Sequence, residues 1–287
     1  MSQLSALVAP GDGIRAPQQS RRVGGLALSV AGTVLRVVIV AFMVAPVLCV
    51  VVLSFGQGQT LSFPPQSWGV GLYASFFRSS YWLGALLTSV KLGVPAALIS
   101  LAVGAPVSWV LSRGKIPFKS VIQLLALSPL ILPAISYAIA LYGMYLRTNL
   151  LYTNIGLILA DSVLGIPFVV LIVKAALDRI PAELELAAMS LGAGRRRAVL
   201  EITLSLLRPA LASSFIMCFM TSFDESTVVQ FLGGPGQTTL PKAIFDTVRT
   251  GLQPVILAIA TILVVGSGLL MIAAGLLRSG RTLRPSS

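Results

Sequence analysis

The residues best placed to do chemistry are the carboxylates that interrupt otherwise apolar runs. Asp161 interrupts one such run, and the adjacent pair Asp224 and Glu225 interrupts another. A charge at the centre of a bilayer-spanning helix costs about 2.5–3.5 kcal/mol on insertion scales. Such side chains therefore face a cavity, a partner subunit or a polar network. Neighbours on a regular helix are turned about 100° apart, so Asp224 and Glu225 should not share a face. An acidic side chain on a path through the bundle would favour a cationic solute. A hydrogen-bonded structural carboxylate, or one at headgroup level, is the plainer alternative, above all for Asp161 near the outer end of its run. Tyr137 and Tyr142 could stack on a solute or simply pack. The means for catalysis are sparse. The chain has no histidine, the commonest general base and metal ligand. Its carboxylates do not cluster with metal-ligand spacing, so no metal site and no catalytic residue is expected. Gly233-Gly234-Pro235-Gly236 lacks the Lys-Ser/Thr of a phosphate loop, so any nucleotide that drives this molecule binds another chain. Cys49 and Cys218 each lie in an apolar run and read as small apolar side chains.

The elements that must position these residues are membrane helices. Of 287 residues, 56% are hydrophobic and only 10% charged, and mean hydropathy is +0.91. Soluble domains carry about 25% charged residues, so lipid is the solvent for most of this chain. Six runs can cross a bilayer, for which a helix needs about 20 residues. They are Val37–Phe55, Trp82–Leu111, Ser120–Leu146, Asn154–Val173, Leu206–Leu232 and Gly251–Leu277. The expected fold is all-α: a polytopic membrane protein with six transmembrane helices and both termini cytoplasmic. Prolines 95, 106, 129, 133 and 167 fall within the spans, where they mark kinks or are simply tolerated. A polar tail, residues 1–32, precedes the first helix, residues 33–56. It reads as disordered and makes a poor signal peptide, because the apolar run begins late. The transmembrane core covers residues 70–278, and a short cytoplasmic tail covers 279–287.

The net charge of +12 belongs to topology, not to nucleic-acid binding. The basic residues gather in the segments that a cytoplasmic N-terminus would place inside, as positive-inside topology requires. Only Arg78, Lys91, Arg147, Lys242 and Arg249 fall outside.

The longest inside loop, residues 174–208, carries the functional signal. Pro181 suits a first helical turn, and Glu183 and Glu185 favour that helix's positive end. Leu184, Ala187, Ala188 and Leu191 repeat at three- and four-residue spacing, giving an apolar face. Gly192 and Gly194 end the helix, and a second short amphipathic helix is expected near Arg195–Thr203. This helix–turn–helix elbow suits a groove on a partner protein, or alternatively the lipid interface.

The elbow resembles the signature of binding-protein-dependent ABC importer permeases: Glu-Ala-Ala, three residues, Gly, nine residues, then Ile-x-Leu-Pro. Ala187-Ala188, Gly192 and Ile202-x-Leu204 hold that spacing, whereas Leu186 replaces the glutamate and Ser205 the proline. Glu185 lies one residue early. Over roughly residues 70–275 the chain looks most like the second permease subunit of spermidine/putrescine-type importers. Ser222-Phe223-Asp224-Glu225, Gly233-Gly234-Pro235-Gly236, Thr239-Leu240-Pro241 and Leu252-x-Pro254 carry this likeness. The resemblance implies a permease worked by alternating access. Its implied partners are two ABC ATPase subunits that bind ATP and Mg, a second homologous permease subunit, a periplasmic solute-binding protein and the lipid of a bacterial inner membrane. No cofactor and no nucleic acid is implied for this chain. The coupling residues would be Glu183, Glu185, Leu186, Ala187, Ala188, Leu191, Gly192 and Ala193, and the substrate-path candidates Asp224, Glu225, Asp161 and Tyr137. Relatives of this group carry polyamines, opines or phosphonates. The rival readings are an ion-gradient transporter, which would show internal repeats and broken helices, a membrane enzyme, and a structural scaffold.

Overall fold

A computed structural model describes residues 19–57, 62–251 and 253–279, with side chains over residues 32–57, 62–251 and 253–272. Leu252 and most of the two terminal tails fall outside the described residues. The chain divides after Val50 into two units. The first contains most of α1 (Gln19–Ser54), a single helix with Pro46 inside it. This helix begins at Gln19, within the segment expected to be a disordered tail. Its apolar run, Gly32–Ser54, is long enough to span a bilayer.

Among the described residues of the second unit, the regular elements are all helices apart from one isolated bridge between Gly56 and Trp68. It contains α2 (Gly71–Arg78), α3 (Ser80–Arg113), α4 (Lys119–Leu127), α5 (Ala134–Thr148), α6 (Asn154–Leu177), α7 (Glu183–Ser190), α8 (Arg195–Ala198), α9 (Leu204–Asp224), α10 (Thr227–Leu232), α11 (Leu240–Thr250) and α12 (Val255–Ser279). Among the described residues, five helices are long and apolar enough to cross a membrane. A sixth span results if α4 and α5 count as one.

The third apolar run, Ser120–Leu146, is not a continuous helix. It breaks between α4 and α5 with a bend of 102°. The cause is local: Pro129 opens a 3-10 turn, Ser128–Leu130, and Pro133 caps α5 in extended conformation with ψ 131°. Neither proline can donate to the helix ladder. Pro95 and Pro106 are carried inside α3, and Pro167 inside α6. The fifth run also departs from expectation. Its helix stops at Asp224, and residues 227–232 form the separate α10.

The centre of the unit is the packing of α3, α6 and α9. Lipid tails are as apolar as leucine, so helices associate in membranes through close packing of small residues and interhelical hydrogen bonds. Both occur here. A Cβ on Gly165 would lie 2.3 Å from Ser100 Oγ, and one on Gly104 would lie 2.6 Å from Val169 Cβ. Only glycine permits these approaches. Ser100 Oγ lies 2.7 Å from the Ser162 carbonyl, and Cys218 donates to the Gly165 carbonyl at 3.2 Å. Val169, Val173, Leu177 and Leu207 fill this core. Polar pins tie the remaining helices to it. The Leu240 backbone N–H at the start of α11 donates to Ser89 Oγ of α3 at 2.8 Å. Gln237 Nε2 donates to Asn154 Oδ1 at 2.7 Å, joining the glycine-rich loop to α6.

Candidate functional site

Two regions hold the residues singled out by sequence. The first is the elbow. α7 is short, and its end is a Schellman turn. The Gly192 N–H donates to the Met189 carbonyl at 3.0 Å, and the Ala193 N–H to the Ala188 carbonyl at 3.0 Å. Gly192 has φ +91°, with nothing within 4 Å of the place a Cβ would occupy. The requirement for glycine is therefore conformational rather than spatial: a left-handed residue with a Cβ costs about 1–2 kcal/mol. Leu184, Leu186, Met189 and Leu191 are exposed, Leu191 at 90%. Glu183 and Ala187 are exposed as well, while Glu185, Ala188 and Ala193 are half-buried. The large side chains exposed here are apolar, with Glu183 and Ser190 the exposed polar residues among them. Leu186, in the position of the signature glutamate, is one of the apolar ones.

The second helix of the elbow is not a free-standing piece. Arg195 to Asp224 forms one long helix, with a π turn over Val199–Thr203 between α8 and α9. Such turns hold an extra residue within a helix and are frequent at functional sites. Sequence spacing alone missed this continuity.

The elbow is held at its entry by residues that sequence reading passed over. Arg113, at the end of α3, donates through Nη2 to the carbonyls of Leu177 and Ile180. These are among the last carbonyls of α6 and the turn beyond it, where the helix ladder runs out; the Leu177 carbonyl also accepts from the Ile180 N–H at 3.1 Å. Ser112 Oγ donates to Asp178 Oδ1 at 2.6 Å, and Lys174 pairs with Asp178 at 2.8 Å. The hydrogen bond from Lys174, then that from Ser112, holds the Asp178 carboxyl below its ordinary value of 3.8. The available signal was a basic residue in the last turn of each of two neighbouring spans.

The second region surrounds the carboxylates. Asp161 is only 3% exposed and sits between α6 and α9. Its Oδ2 accepts from Ser222 Oγ of α9 at 2.6 Å. Its Oδ1 is buried with no partner among the described residues. Tyr137 Oη donates to the Ala160 carbonyl at 2.7 Å, and Tyr145 Oη to that of Gly156 at 3.0 Å. The tyrosines thus tie α5 to α6. Asp224 and Glu225 do not share a helix, so their angular separation on a helix does not apply. Glu225 follows the end of α9 in extended backbone, with ψ 111°. Its Oε1 accepts from the N–H groups of Thr227 and Val228 at 2.6 and 3.1 Å. It caps α10, where a negative charge is favoured by the helix dipole.

Asp224 is exposed. With Glu225 it lines an open cavity of about 710 Å³, whose other walls include Met217, Met220 and Thr221 of α9 and Ile262, Ser267 and Leu270 of α12. The cavity lining is mostly apolar and includes these two carboxylates, so it can take a solute with a cationic group and an apolar chain. Of the four path candidates, the structure brings Asp161 and Tyr137 into one buried joint and places Asp224 and Glu225 on the cavity wall. Among the described residues no group of three His, Cys, Asp or Glu could hold a metal ion.

A bundle of bilayer-length helices with a small exposed elbow between two spans defines a polytopic helical membrane protein. Comparison with known proteins makes this specific. Residues 104–282 match the family described as binding-protein-dependent transport system inner membrane component, and the chain belongs to that family. It is a permease subunit of an ABC importer, and its relatives are transport subunits rather than enzymes. The putrescine transport system permease protein PotI of Escherichia coli strain K12 is 27% identical over 238 residues, covering 79% of this chain and 83% of the relative. The spermidine/putrescine transport system permease protein PotC of Haemophilus influenzae is 27% identical over 84% of this chain and 93% of its own length. The molybdenum transport system permease protein ModB of Escherichia coli strain K12 is 30% identical over 58% of this chain and 80% of its own. A crystal structure of a bacterial ABC transporter involved in the import of the acidic polysaccharide alginate shares the fold, with TM-score 0.65 at 15% identity over 96% of this chain and 100% of the matched one.

Proposed function

We propose that this subunit carries a polyamine, such as spermidine or putrescine, or a related opine or aminophosphonate, across a bacterial inner membrane with both termini in the cytoplasm. The similarity to putrescine and spermidine/putrescine permeases supports the solute class. The carboxylates on the cavity wall support a cationic group. A periplasmic binding protein delivers the solute from outside. A second, homologous permease completes the pore. Two ATPase subunits bind ATP and Mg and receive the elbow in a groove on each side of the complex. Their closure on ATP moves the elbow and rocks the spans between outward and inward access.

The observation that carries this reading is the elbow itself. A Schellman turn at Gly192 presents Leu184, Leu186, Met189 and Leu191 outward on a two-turn helix. An apolar helical face is what a partner groove takes up. The side chain offered at the signature glutamate position is leucine, so the contact made there is apolar.

Uptake of labelled putrescine by proteoliposomes containing the assembled transporter tests the solute class. Asp224→Asn is expected to reduce it several-fold, because the cavity loses a charge complementary to an ammonium group. Unchanged uptake, or preferred uptake of an oxyanion such as molybdate, would remove the cation argument and leave the permease assignment intact.

A further inference from the structure

Glu185 lies one residue before the signature position and is turned about 100° away from Leu186. Leu186 is 60% exposed. The Glu185 carboxylate turns inward, where Oε1 accepts from Thr203 Oγ1 at 2.7 Å. Thr203 is fully buried at 0% exposure and is the last residue of the π turn that leads into α9. The bond spans eighteen residues of sequence. It closes the elbow on itself, from the middle of α7 to the base of α9.

The covalent link between α7 and α8 is Leu191-Gly192-Ala193-Gly194, with a glycine in left-handed conformation. Two glycines in four residues make this a hinge. A force applied to α7 alone would swing it about the hinge. The Glu185–Thr203 bond resists that swing and passes the displacement to α9. At the other end of the elbow, Arg113 holds the Leu177 and Ile180 carbonyls to α3. The elbow is thus mounted at two points, one toward α3 and one toward α9. The entry mount alone would leave α7 free to rotate.

We propose that Glu185 is a positioning residue for energy coupling. Through Thr203 it locks the docking helix to the π turn of α9, so that movement of a docked partner is transmitted to the bundle. It does this as an internal strut rather than by touching the ATPase. The proposal rests on the reading of residues 174–208 as the ATPase-docking elbow. In chemical terms, α7 divides its labour. Leu186 and Leu191 face outward for an apolar contact, and Glu185 faces inward for a charge-assisted hydrogen bond.

The test uses the complete transporter in lipid nanodiscs, purified through a tag on this chain, with its cognate binding protein added. Two quantities are read: copurification of the ATPase subunits, and the ratio of binding-protein-stimulated to unstimulated ATP hydrolysis. That ratio reports the signal crossing the elbow, and coupling between sites is reciprocal. In Glu185→Ala the ATPases copurify and the ratio falls about tenfold, the scale of one hydrogen bond to a charged group. Thr203→Val gives the same fall, and the double variant is no worse than either single one, as expected for two members of one interaction. Glu185→Gln and Thr203→Ser keep the bond and most of the ratio. Loss of copurification in Glu185→Ala but not in Thr203→Val would overturn the proposal, because the carboxylate would then touch the ATPase directly. An unchanged ratio in Glu185→Ala, or additive losses in the double variant, would overturn it too. Absence of any ATPase with the wild-type chain would instead defeat the reading of the elbow on which it rests.

Discussion

The elbow and the joint where α3, α6 and α9 meet are built on opposite principles. The elbow is exposed, rich in large apolar side chains and shaped by one glycine whose φ, not its size, matters. The joint is buried and polar at its centre, and is shaped by glycines whose size, not their φ, matters. At Gly192 there is room for any side chain but the wrong backbone. At Gly165 the backbone is ordinary and there is no room. The difference separates what a partner must meet from what must hold still while it does so. A surface piece can be strained or replaced without unfolding the bundle, whereas a joint cannot.

The sharpest way to break this comparison is to add volume to the joint. Gly165→Val drives a side chain into Ser100 Oγ, which holds the Ser162 carbonyl. The expected cost is about 3 kcal/mol, at the upper end for overpacking, seen as a lower melting temperature in detergent and loss of the assembled complex. An unchanged melting temperature would mean that α3 and α6 are not packed as described.

Next in size is Ser222→Ala. It leaves the Asp161 carboxylate buried with neither oxygen bonded, at a cost of about 1–3 kcal/mol. Adding Asp161→Asn should recover part of that loss, because an amide is always neutral, whereas a buried carboxyl group left unpaired must carry a charge or take up a proton. Thermal unfolding of the two variants beside the wild type checks the order. If the single and double variants melt together, the carboxylate is not a structural element of the joint.

Gly192→Val tests the other side of the comparison. Its strain is about 1–2 kcal/mol and local to the turn, so the melting temperature stays while binding-protein-stimulated hydrolysis is lost. Gly192→Asn, which tolerates left-handed backbone better, keeps more of the stimulation. A lowered melting temperature with intact stimulation would reverse the roles assigned to the two regions.

The smallest effect belongs to the clamp at the elbow's entry. The hydrogen bonds from Lys174 and Ser112 depress the Asp178 pKa in the folded state. Its contribution is therefore present above the ordinary carboxylate value and is lost as pH falls below it. The ion pair is substantially exposed, so screening keeps the effect small. Ser112→Ala should change stability little at neutral pH, by no more than about 0.5 kcal/mol, and should narrow the difference between pH 7 and pH 3. A large loss at neutral pH would show the clamp to be more buried than its geometry indicates.

Sequence reading went furthest where a rule is local and one-dimensional. Bilayer-length apolar runs located the spans, and the spacing around Gly192 located the elbow. It failed where a single proline or carboxylate decides the outcome, by ending a helix or by meeting a partner on another one. Pro129 and Pro133 lie inside an unbroken apolar run, yet together they break it into α4 and α5. Asp224 and Glu225 read as neighbours on one helix, yet Glu225 leaves α9 to cap α10. Asp161 and Ser222 lie 61 residues apart, and no periodicity in either helix announces that pair. Thr203 is the unspecified residue between Ile202 and Leu204, and its role depends on a π turn that propensity does not reveal.

Energy coupling through residues 174–208 is the central claim, and ATP-dependent uptake in proteoliposomes tests it most directly. The complex purified through this chain, with its ATPase subunits and binding protein, is compared with the same complex carrying Gly192→Val and with this chain alone. The account predicts labelled putrescine uptake that requires ATP in the wild-type complex, is abolished by Gly192→Val without loss of the folded bundle, and is absent for the chain alone. Uptake by the chain alone, driven by an ion gradient and indifferent to ATP, would contradict it.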